Sequence, residues 1–316
     1  MILYGMKIDS DIDFDLKLPY DSEYKDTITI CKNVPLELKN SLTCGTYLYT
    51  TSKHKVYLYS DQDISSPLKT NQPLCYEADG LVKFYWYHKD KSIYYELLHK
   101  DTDKFSFWFI HHFFSFFLSI EEYFVMIHGS AVEIEDKSIL FLAPYKSGKS
   151  TLANYIVHQG HKLITDDILA TFIKDNNIYY TPSHPYSNPF EKGRYLGTYM
   201  RSHKKSFDTL DQVYIIQNSS ENTDINIKHI KGLEKFQLVR KNSLLYSMPH
   251  IRVNHEKHLG ILLNSVDFFI LSYPWGKEYL PQIYQALQNN LKYHYQSSSG
   301  GGGTSDSAYI DVGLIN

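Results

Sequence analysis

The pattern of hydrophobic and polar positions divides the chain into two parts. Up to about residue 100, runs such as 54–59 and 82–87 alternate apolar and polar positions between polar turns, which is typical of antiparallel strands. From 105 to 120 the chain is almost continuously aromatic or aliphatic. His111 and His112 interrupt this run, which is shorter than the roughly 20 apolar residues of a bilayer span, so we expect a buried helix.

The second part mixes strands with helices. Between 126 and 167 the order is strand, turn, strand, loop, helix and strand, which is typical of a nucleotide-binding layer. Further strands are predicted over 168–180 as a hairpin, over 212–217, near 225–230 and over 266–271, with helices around 256–263 and 279–293. We therefore predict an α/β protein with α+β elements: a β-rich N-terminal region over 1–100 and a P-loop nucleotide-binding domain over 101–296.

The end of the chain differs in composition. Residues 297–303 are all Ser or Gly, so we predict a flexible linker. Residues 304–316 begin with the hydroxyls of Thr304, Ser305 and Ser307 and continue with alternating polar and apolar positions. That alternation predicts an extended segment that docks on the β-rich region, tethered as in an engineered fusion. The alternative is a natural disordered tail.

The overall composition narrows the class of protein. A net charge of −3 argues against a protein whose main task is to hold nucleic acid by its phosphates. Cys31, Cys44 and Cys75 have no metal-ligand spacing and are typical of reduced thiols. The first residues show no basic region leading into an apolar core, so we expect no secretory signal. We expect a cytoplasmic protein with neither a nucleic acid nor a membrane partner.

Residues 143–151 match the phosphate-loop pattern G-x-x-x-x-G-K-[S/T], except that alanine replaces the first glycine. A buried strand precedes this segment and a helix follows it, so backbone N–H groups and the positive helix end can hold phosphates. In this pattern the lysine reaches the phosphates and the following hydroxyl ligates Mg²⁺. The candidate nucleotide-binding residues are Ala143, Pro144, Tyr145, Lys146, Ser147, Gly148, Lys149, Ser150 and Thr151. The alternative is a loop that matches by coincidence.

Two adjacent acids, Asp166 and Asp167, follow the next predicted strand. A right-handed crossover through the intervening helix brings the end of that strand beside the phosphate loop. Two acids in this position suit phosphoryl transfer, because one can hold Mg²⁺ and the other can face the acceptor hydroxyl. The alternative is a solvated acidic turn.

His128 is a third candidate. If 129–135 pairs with 138–142 across the turn Asp136-Lys137, His128 lies opposite Tyr145. A histidine at that position can contact the transferred phosphate. The remaining histidines, including His111 and His112, are expected to be core or surface residues.

Three segments together resemble the HPr kinase/phosphorylase-like proteins, which share their nucleotide core with ATP-dependent phosphoenolpyruvate carboxykinase. They are Ile127-His128-Gly129-Ser130-Ala131, the loop 143–151 and Thr165-Asp166-Asp167. The opening Leu3-Tyr4-Gly5-Met6-Lys7-Ile8 also looks like that of the short members found in biosynthetic clusters for modified peptides such as lasso peptides. The glycine-rich signature of true HPr kinases is missing after Asp167, and 191–194 is the nearest segment to it.

The resemblance implies a Mg²⁺-requiring serine kinase that uses ATP, or another NTP, and acts on a peptide. It implies Lys149 on phosphate, Ser150 and Asp167 on Mg²⁺, Asp166 as general base and His128 near the transferred group. We expect a peptide partner, with residues 304–316 as a candidate, and self-association into a homo-oligomer is a further candidate. The alternatives are a non-catalytic nucleotide-binding or peptide-recognition protein and a small-molecule kinase. A basic cluster, Lys192, Arg194, Arg201, Lys204 and Lys205, can hold phosphates or an acidic peptide, or be a solvated loop.

Overall fold

The computed structural model describes most of the chain. The described residues are 1–14, 24–51, 54–64, 67–99, 102–144, 146–187, 196–219, 224–242 and 249–299. The predictions that concern Tyr145, Lys192, Arg194 and the segment 304–316 therefore lie outside the described residues. Within the described residues, no helix combines the length and the apolar character needed to cross a membrane.

The N-terminal part forms one large sheet. Its strands in the described part of the chain are β1 Ile2–Leu3, β2 Met6–Ser10, β3 Asp26–Cys31, β4 Cys44–Thr50, β5 Lys55–Ser60, β6 Pro73–Ala78, β7 Val82–Tyr87 and β8 Ser92–Leu97, with the short helix α1 Leu36–Ser41 between β3 and β4. The order across the sheet is β1-β2-β3-β8-β7-β6-β5-β4. Most neighbours are antiparallel as expected, but β3 runs parallel to both β2 and β8, which corrects the purely antiparallel prediction.

The aromatic segment after this sheet is a buried helix, as predicted. It consists of α2 Thr102–Trp108, a π-helical turn Phe109–Phe113 and α3 Phe114–Ile120. Phe113 stacks on Phe84 of β7 with ring centroids 4.0 Å apart. At the end of α3, the buried carboxylate of Glu121 accepts hydrogen bonds from Trp86 Nε1 at 2.8 Å and His88 Nδ1 at 2.9 Å. The helix is thus fixed to the N-terminal sheet, and the domain boundary at residue 100 stays a prediction.

Two larger sheets and one two-stranded sheet contain the other strands of the described residues. The described strands are β9 Val125–His128, β10 Ser130–Ile134, β11 Lys137–Leu142, β12 Lys162–Thr165, β13 Ile168–Lys174, β14 Asn177–Thr181, β15 Tyr186–Ser187, β16 Thr198–Tyr199, β17 Asp208–Thr209, β18 Gln212–Ser219, β19 Asn226–His229 and β20 Asp267–Pro274. One sheet has the order β12-β10-β11-β18-β20-β19 and the other β17-β14-β13-β9, while β15 pairs with β16. This mixture of sheets and helices agrees with the predicted α/β class.

The helices of this part are α4 Lys149–His158, α5 Leu233–Asn242, α6 Pro249–Ser265 and α7 Leu280–Ser299, with a 3₁₀ turn Lys277–Tyr279. Strands β11, β18 and β20 are parallel, so their carboxyl ends lie at one edge of the sheet. The loop between β11 and α4 begins at this edge. Helix α7 continues through Ser299, so the first three residues of the predicted Ser/Gly linker are helical.

The predicted turn between β10 and β11 is displaced by one residue, so the predicted register of this hairpin is wrong. Ile134 pairs with Lys137, and the two-residue turn is Glu135-Asp136, both with positive φ. His128 does not continue this hairpin toward the loop. It belongs to β9 in the other sheet, where it pairs with Ile168. Because the chain leaves one sheet for the other after His128, a register extrapolated along a single hairpin could not place this residue.

The switch between sheets occurs at Gly129. The preceding strand β9 pairs with β13, whereas the following strand β10 pairs with β12. The chain therefore passes from one sheet to the other between β9 and β10, and again between β12 and β13. The N–H of Gly129 donates to the carbonyl of Asp167 at 2.9 Å. A Cβ atom on Gly129 would lie 2.7 Å from the carbonyl oxygen of Phe141, so no side chain fits without a backbone shift.

We predict that Gly129→Ala lowers the free energy of unfolding by about 1 to 3 kcal/mol, because the backbone of Phe141 must move. Gly260→Ala is the matched control. Gly260 lies inside α6, and a Cβ atom there meets nothing within 4 Å. That substitution should raise the free energy of unfolding by about 0.5 to 1 kcal/mol. Urea unfolding of both variants measures the difference, and equal effects would contradict the close approach at Gly129.

Candidate active site

The predicted phosphate loop lies between a buried strand and a helix, as expected. Strand β11 is buried from Ser138 onward, and α4 begins at Lys149. Gly148, immediately before the helix, has φ of 91°, a left-handed conformation that side chains adopt at a cost. A Cβ atom there would make only ordinary contacts, the nearest 3.6 Å from the hydroxyl of Tyr273. The backbone conformation, and not space, therefore requires glycine at this position.

Lys149 points back into the loop. Its ammonium donates to the carbonyl of Ala143 at 2.8 Å and to that of Pro144 at 3.1 Å, and the residue is buried. Burial lowers the pKa of Lys149, while the charges of Asp167 and Asp166 act in the opposite direction. The cation is thus held at the inner side of the loop and feels both acids.

The remaining loop residues occupy the first turn of α4 and its approach. Ser150 is half-buried and Thr151 is exposed. Ser147 donates a short hydrogen bond to the carbonyl of Pro144. Within the described residues, no side chain caps the amino end of α4. The first N–H groups of this helix are therefore not used by a capping side chain.

Trp275 lies at the same edge of the sheet, immediately after β20. It is 61% exposed, whereas Trp86 and Trp108 are buried. Its ring comes within 3.8 Å of the position of a Cβ atom on Gly148. The exposed indole therefore stands beside the loop, although nothing in the sequence pattern distinguished it.

Asp166 is buried and surrounded by hydroxyl groups. Ser130 donates to its backbone carbonyl at 2.9 Å and to Oδ1 at 3.1 Å. Ser187 lies 3.0 Å from Oδ2 and has a second acceptor, the side-chain oxygen of Asn154 on α4, at 2.6 Å. The Ser187 hydroxyl can therefore donate to either group. The sequence did not indicate Ser187 or Asn154, because both reach Asp166 only through the fold.

Asp167 has a different environment. Its side chain is one-third exposed, and Oδ1 lies 3.2 Å from Nδ1 of His128. Nδ1 of His111 lies 3.8 Å from Oδ2, which is an ion-pair distance and too long for a hydrogen bond. Partial burial favours the neutral acid, but the two histidines outweigh it and hold the pKa of Asp167 well below its usual range. This carboxylate is therefore kept charged.

His111 is the functional candidate that sequence reasoning missed. It lies in the π-helical turn, an irregularity that often marks functional sites. Its Nε2 is buried without a hydrogen-bond partner among the described residues. Two other histidines lie close by: burial lowers the pKa of His112 to about 4 and that of His184 to about 3, so both are neutral. The available signal was the pair of histidines inside an otherwise apolar helix.

The structure thus brings Lys149, Asp166, Asp167 and His128 to one place, although His128 arrives by a different strand pairing than predicted. In the part of the chain that the structure describes, no group of three or more His, Cys, Asp or Glu residues is arranged to hold a metal ion. A divalent cation here would need Ser150, Asp167 and oxygens from a bound phosphate. That donor set of hydroxyl and carboxylate oxygens fits Mg²⁺.

No protein-family model matches the chain, and no curated protein sequence matches it. Among solved structures, the Hpr(Ser) kinase/phosphatase from Coxiella burnetii aligns with a TM-score of 0.32 and 10% sequence identity. The alignment covers 54% of this chain and 98% of that one.

Proposed function

We propose that this protein is an ATP-dependent, Mg²⁺-requiring kinase that transfers a phosphoryl group to a Ser or Thr hydroxyl of a peptide. One observation carries the proposal: a buried lysine and two carboxylates of unlike environment meet at the open amino end of a helix. Lys149 and Asp166 are buried there, and Asp167 is partly exposed. Phosphoryl transfer needs this combination of a cationic phosphate site, a metal-binding acid and a group that accepts a proton.

The phosphates of ATP would lie against the first N–H groups of α4, where the helix end is positive. Lys149 would then leave the carbonyls of Ala143 and Pro144 and donate to phosphate oxygens. Because burial lowers its pKa in the described state, a phosphate beside it would also stabilise its charged form. Ser150 and Asp167 would hold Mg²⁺, which would neutralise charge on the phosphates.

Asp166 is suited to accept the proton of the acceptor hydroxyl. In the structure a hydroxyl already donates to its Oδ2, that of Ser187 at 3.0 Å. Asn154 offers the same hydroxyl a second acceptor, so Ser187 can turn away and leave Oδ2 to a substrate hydroxyl. Ser130 holds Oδ1 and keeps the carboxylate oriented. We assign positioning roles to Ser130, Ser187 and Asn154.

The two histidines contact Asp167. His128 and His111 fix the orientation of the carboxylate that would hold the metal. His128 is one-third exposed and faces the site, so it is also able to contact the transferred group.

The decisive experiment is intact-mass analysis of the full chain after incubation with ATP and MgCl₂. We expect the mass of the chain to increase by about 80 Da, the mass of one phosphoryl group. After cleavage, the fragment that contains residues 304–316 should carry this increase. Replacing Thr304, Ser305 and Ser307 together by Ala should abolish the increase, and chelation of Mg²⁺ is the control. Nucleotide binding without transfer to any peptide would favour a non-catalytic protein. Transfer to a metabolite alone would indicate a small-molecule kinase.

We predict that Lys149→Ala lowers the rate of transfer at least about 100-fold, because it removes the charge that accompanies the developing negative charge. Lys257→Ala, an exposed lysine on α6, is the matched control and should leave the rate unchanged. Circular dichroism checks that both variants fold. Near-normal transfer by folded Lys149→Ala would exclude this loop as the phosphate site.

A second experiment should distinguish the roles of Asp166 and Asp167. Asp166→Asn should keep nucleotide affinity within about twofold and lower turnover at least about 100-fold, since only the proton acceptor is lost. Asp167→Asn should instead weaken the Mg²⁺-dependent part of nucleotide binding. Trp275 fluorescence, titrated with ADP in the presence and absence of Mg²⁺, reports affinity, and Trp275→Phe should remove the signal. The opposite pattern would exchange the two roles.

A further inference from the structure

A cavity of about 280 Å³ lies beside the acid pair, outside the site described above. It is lined by the tip of the β1–β2 hairpin, the last residues of β13, residues 181–183 at the end of β14, and further residues from 24–25, 124 and 203–207. Its walls are largely aromatic and include Tyr4, Phe124, Phe172 and Phe207. The volume is close to the lower bound of roughly 300 Å³ for ligand pockets, which suits one or two side chains and not a whole nucleotide.

The hairpin tip is built to close this cavity. Tyr4 and Gly5 form the two-residue turn between β1 and β2, both with positive φ. A Cβ atom on Gly5 would lie 2.7 Å from the Thr181 hydroxyl, so the turn packs directly on the end of β14. Burial raises the pKa of Tyr4 far above its usual value, and the charge of Asp167 adds to the effect. Tyr4 is therefore a buried, neutral wall of the cavity.

A second link joins the cavity to the acids. Ser183, which lines the cavity, donates to the hydroxyl of Thr165 at 2.8 Å. Thr165 is the residue before Asp166. A ligand in the cavity thus lies one side chain away from the strand end that carries both acids.

The charge around the cavity is one-sided. None of the described residues that line it is acidic, and four are lysines. Lys204 is neutralised by Glu133 and Asp208. The other three form no ion pair within the described ranges: Lys25, on which the charge of Asp26 acts, donates to the Tyr123 carbonyl, Lys174 lies over the rings of Tyr179 and Phe207, and Lys205 is exposed. An apolar cavity with unpaired cations fits a ligand that is both apolar and acidic.

The segment 304–316 of this chain has that chemistry. It contains Asp306 and Asp311 and no basic residue, and Tyr309 and Ile310 offer large apolar side chains. Its hydroxyl residues lie two to five positions before Tyr309, which is roughly 7 to 17 Å in an extended chain. With Tyr309 in the cavity, a hydroxyl of the same segment can therefore extend toward the acids.

We propose that the aromatic cavity between the N-terminal hairpin and β13–β14 is the docking site of the acceptor peptide, occupied by residues 304–316 through Tyr309 and its acidic neighbours. This inference rests on the proposed peptide kinase activity. It refines the predicted docking on the β-rich region to one hairpin tip of that region. It also gives Lys205 of the predicted basic cluster a partner, whereas Lys204 is already paired.

The test is photo-cross-linking of the full chain without nucleotide, with p-benzoylphenylalanine in place of Tyr309. We expect cross-links to peptides that contain Lys25, Lys174 or Phe207, located by mass spectrometry. The mass of the product tells whether the segment comes from the same or another copy, and both sources support the proposal. Cross-links confined to other surfaces, or none, would overturn it.

Charge reversal gives the matched comparison. The double substitution Lys174→Glu, Lys205→Glu should lower the cross-link yield at least about tenfold. Added salt should also lower the cross-link yield of the protein without these substitutions. Lys228→Glu with Lys231→Glu, exposed lysines elsewhere, makes the same charge change and should have no effect. An equal loss in both pairs would mean non-specific attraction and would refute the docking site.

The result is independent of catalysis. Cross-linking in the cavity without any phosphoryl transfer would contradict the kinase and leave the docking site standing. Normal transfer to residues 304–316 by the Lys174→Glu, Lys205→Glu variant would support the kinase and contradict the docking site. Trp275 fluorescence confirms that this variant still responds to nucleotide as the parent does.

Discussion

The structure depends on a close backbone approach at Gly129. Here two segments, β9–β10 and β12–β13, pass from one sheet to the other. Gly129 lies against the carbonyl of Phe141, where no Cβ atom fits, and its N–H holds the carbonyl of Asp167. On one side of this point the chain pairs β9 with β13, and on the other it pairs β10 with β12. Asp166 and Asp167 therefore lie at the junction of two sheets. Ser130 of β10 contacts Asp166, whereas His128 of β9 contacts Asp167, so the two carboxylates have different environments.

The difference between the environments is electrostatic. Asp166 is enclosed by hydroxyl groups, which orient it without adding charge, whereas Asp167 faces two histidines that favour its ionised form. One histidine, His128, is brought by the strand before Gly129. The other, His111, is brought by the aromatic helix, which Glu121 anchors to the N-terminal sheet through Trp86 and His88. The N-terminal sheet thus takes part in forming the candidate site, although it is distant from the phosphate loop in sequence.

The elements that depend only on residues close together in the chain could be predicted from the sequence. The strand, loop and helix around Gly148 follow from a hydrophobic run, a glycine pattern and helical periodicity, all within about 20 residues. The turn before β11 was misplaced because Glu135, Asp136 and Lys137 are all polar, and any two of them could form it. His111 offered one signal, a histidine inside an apolar helix, but its contact with Asp167 arises only when segments far apart in the chain pack together. Ser187 offered no such signal, since it meets Asp166 only through the same packing. Trp275 was missed for the same reason.

The N-terminal hairpin then acquires a role that its sequence alone did not suggest. Tyr4 and Gly5 have positive φ, and Gly5 packs on Thr181. The left-handed conformation of Tyr4 costs backbone strain of the order of 1 kcal/mol. This turn places a buried tyrosine where the charge of Asp167 acts on it, and it closes one wall of the aromatic cavity. A separate β-rich module would not need that contact. The strained turn, the unpaired lysines and the Ser183–Thr165 hydrogen bond are consistent with one arrangement in which recognition of a peptide and phosphoryl transfer share the strand end that carries the two acids.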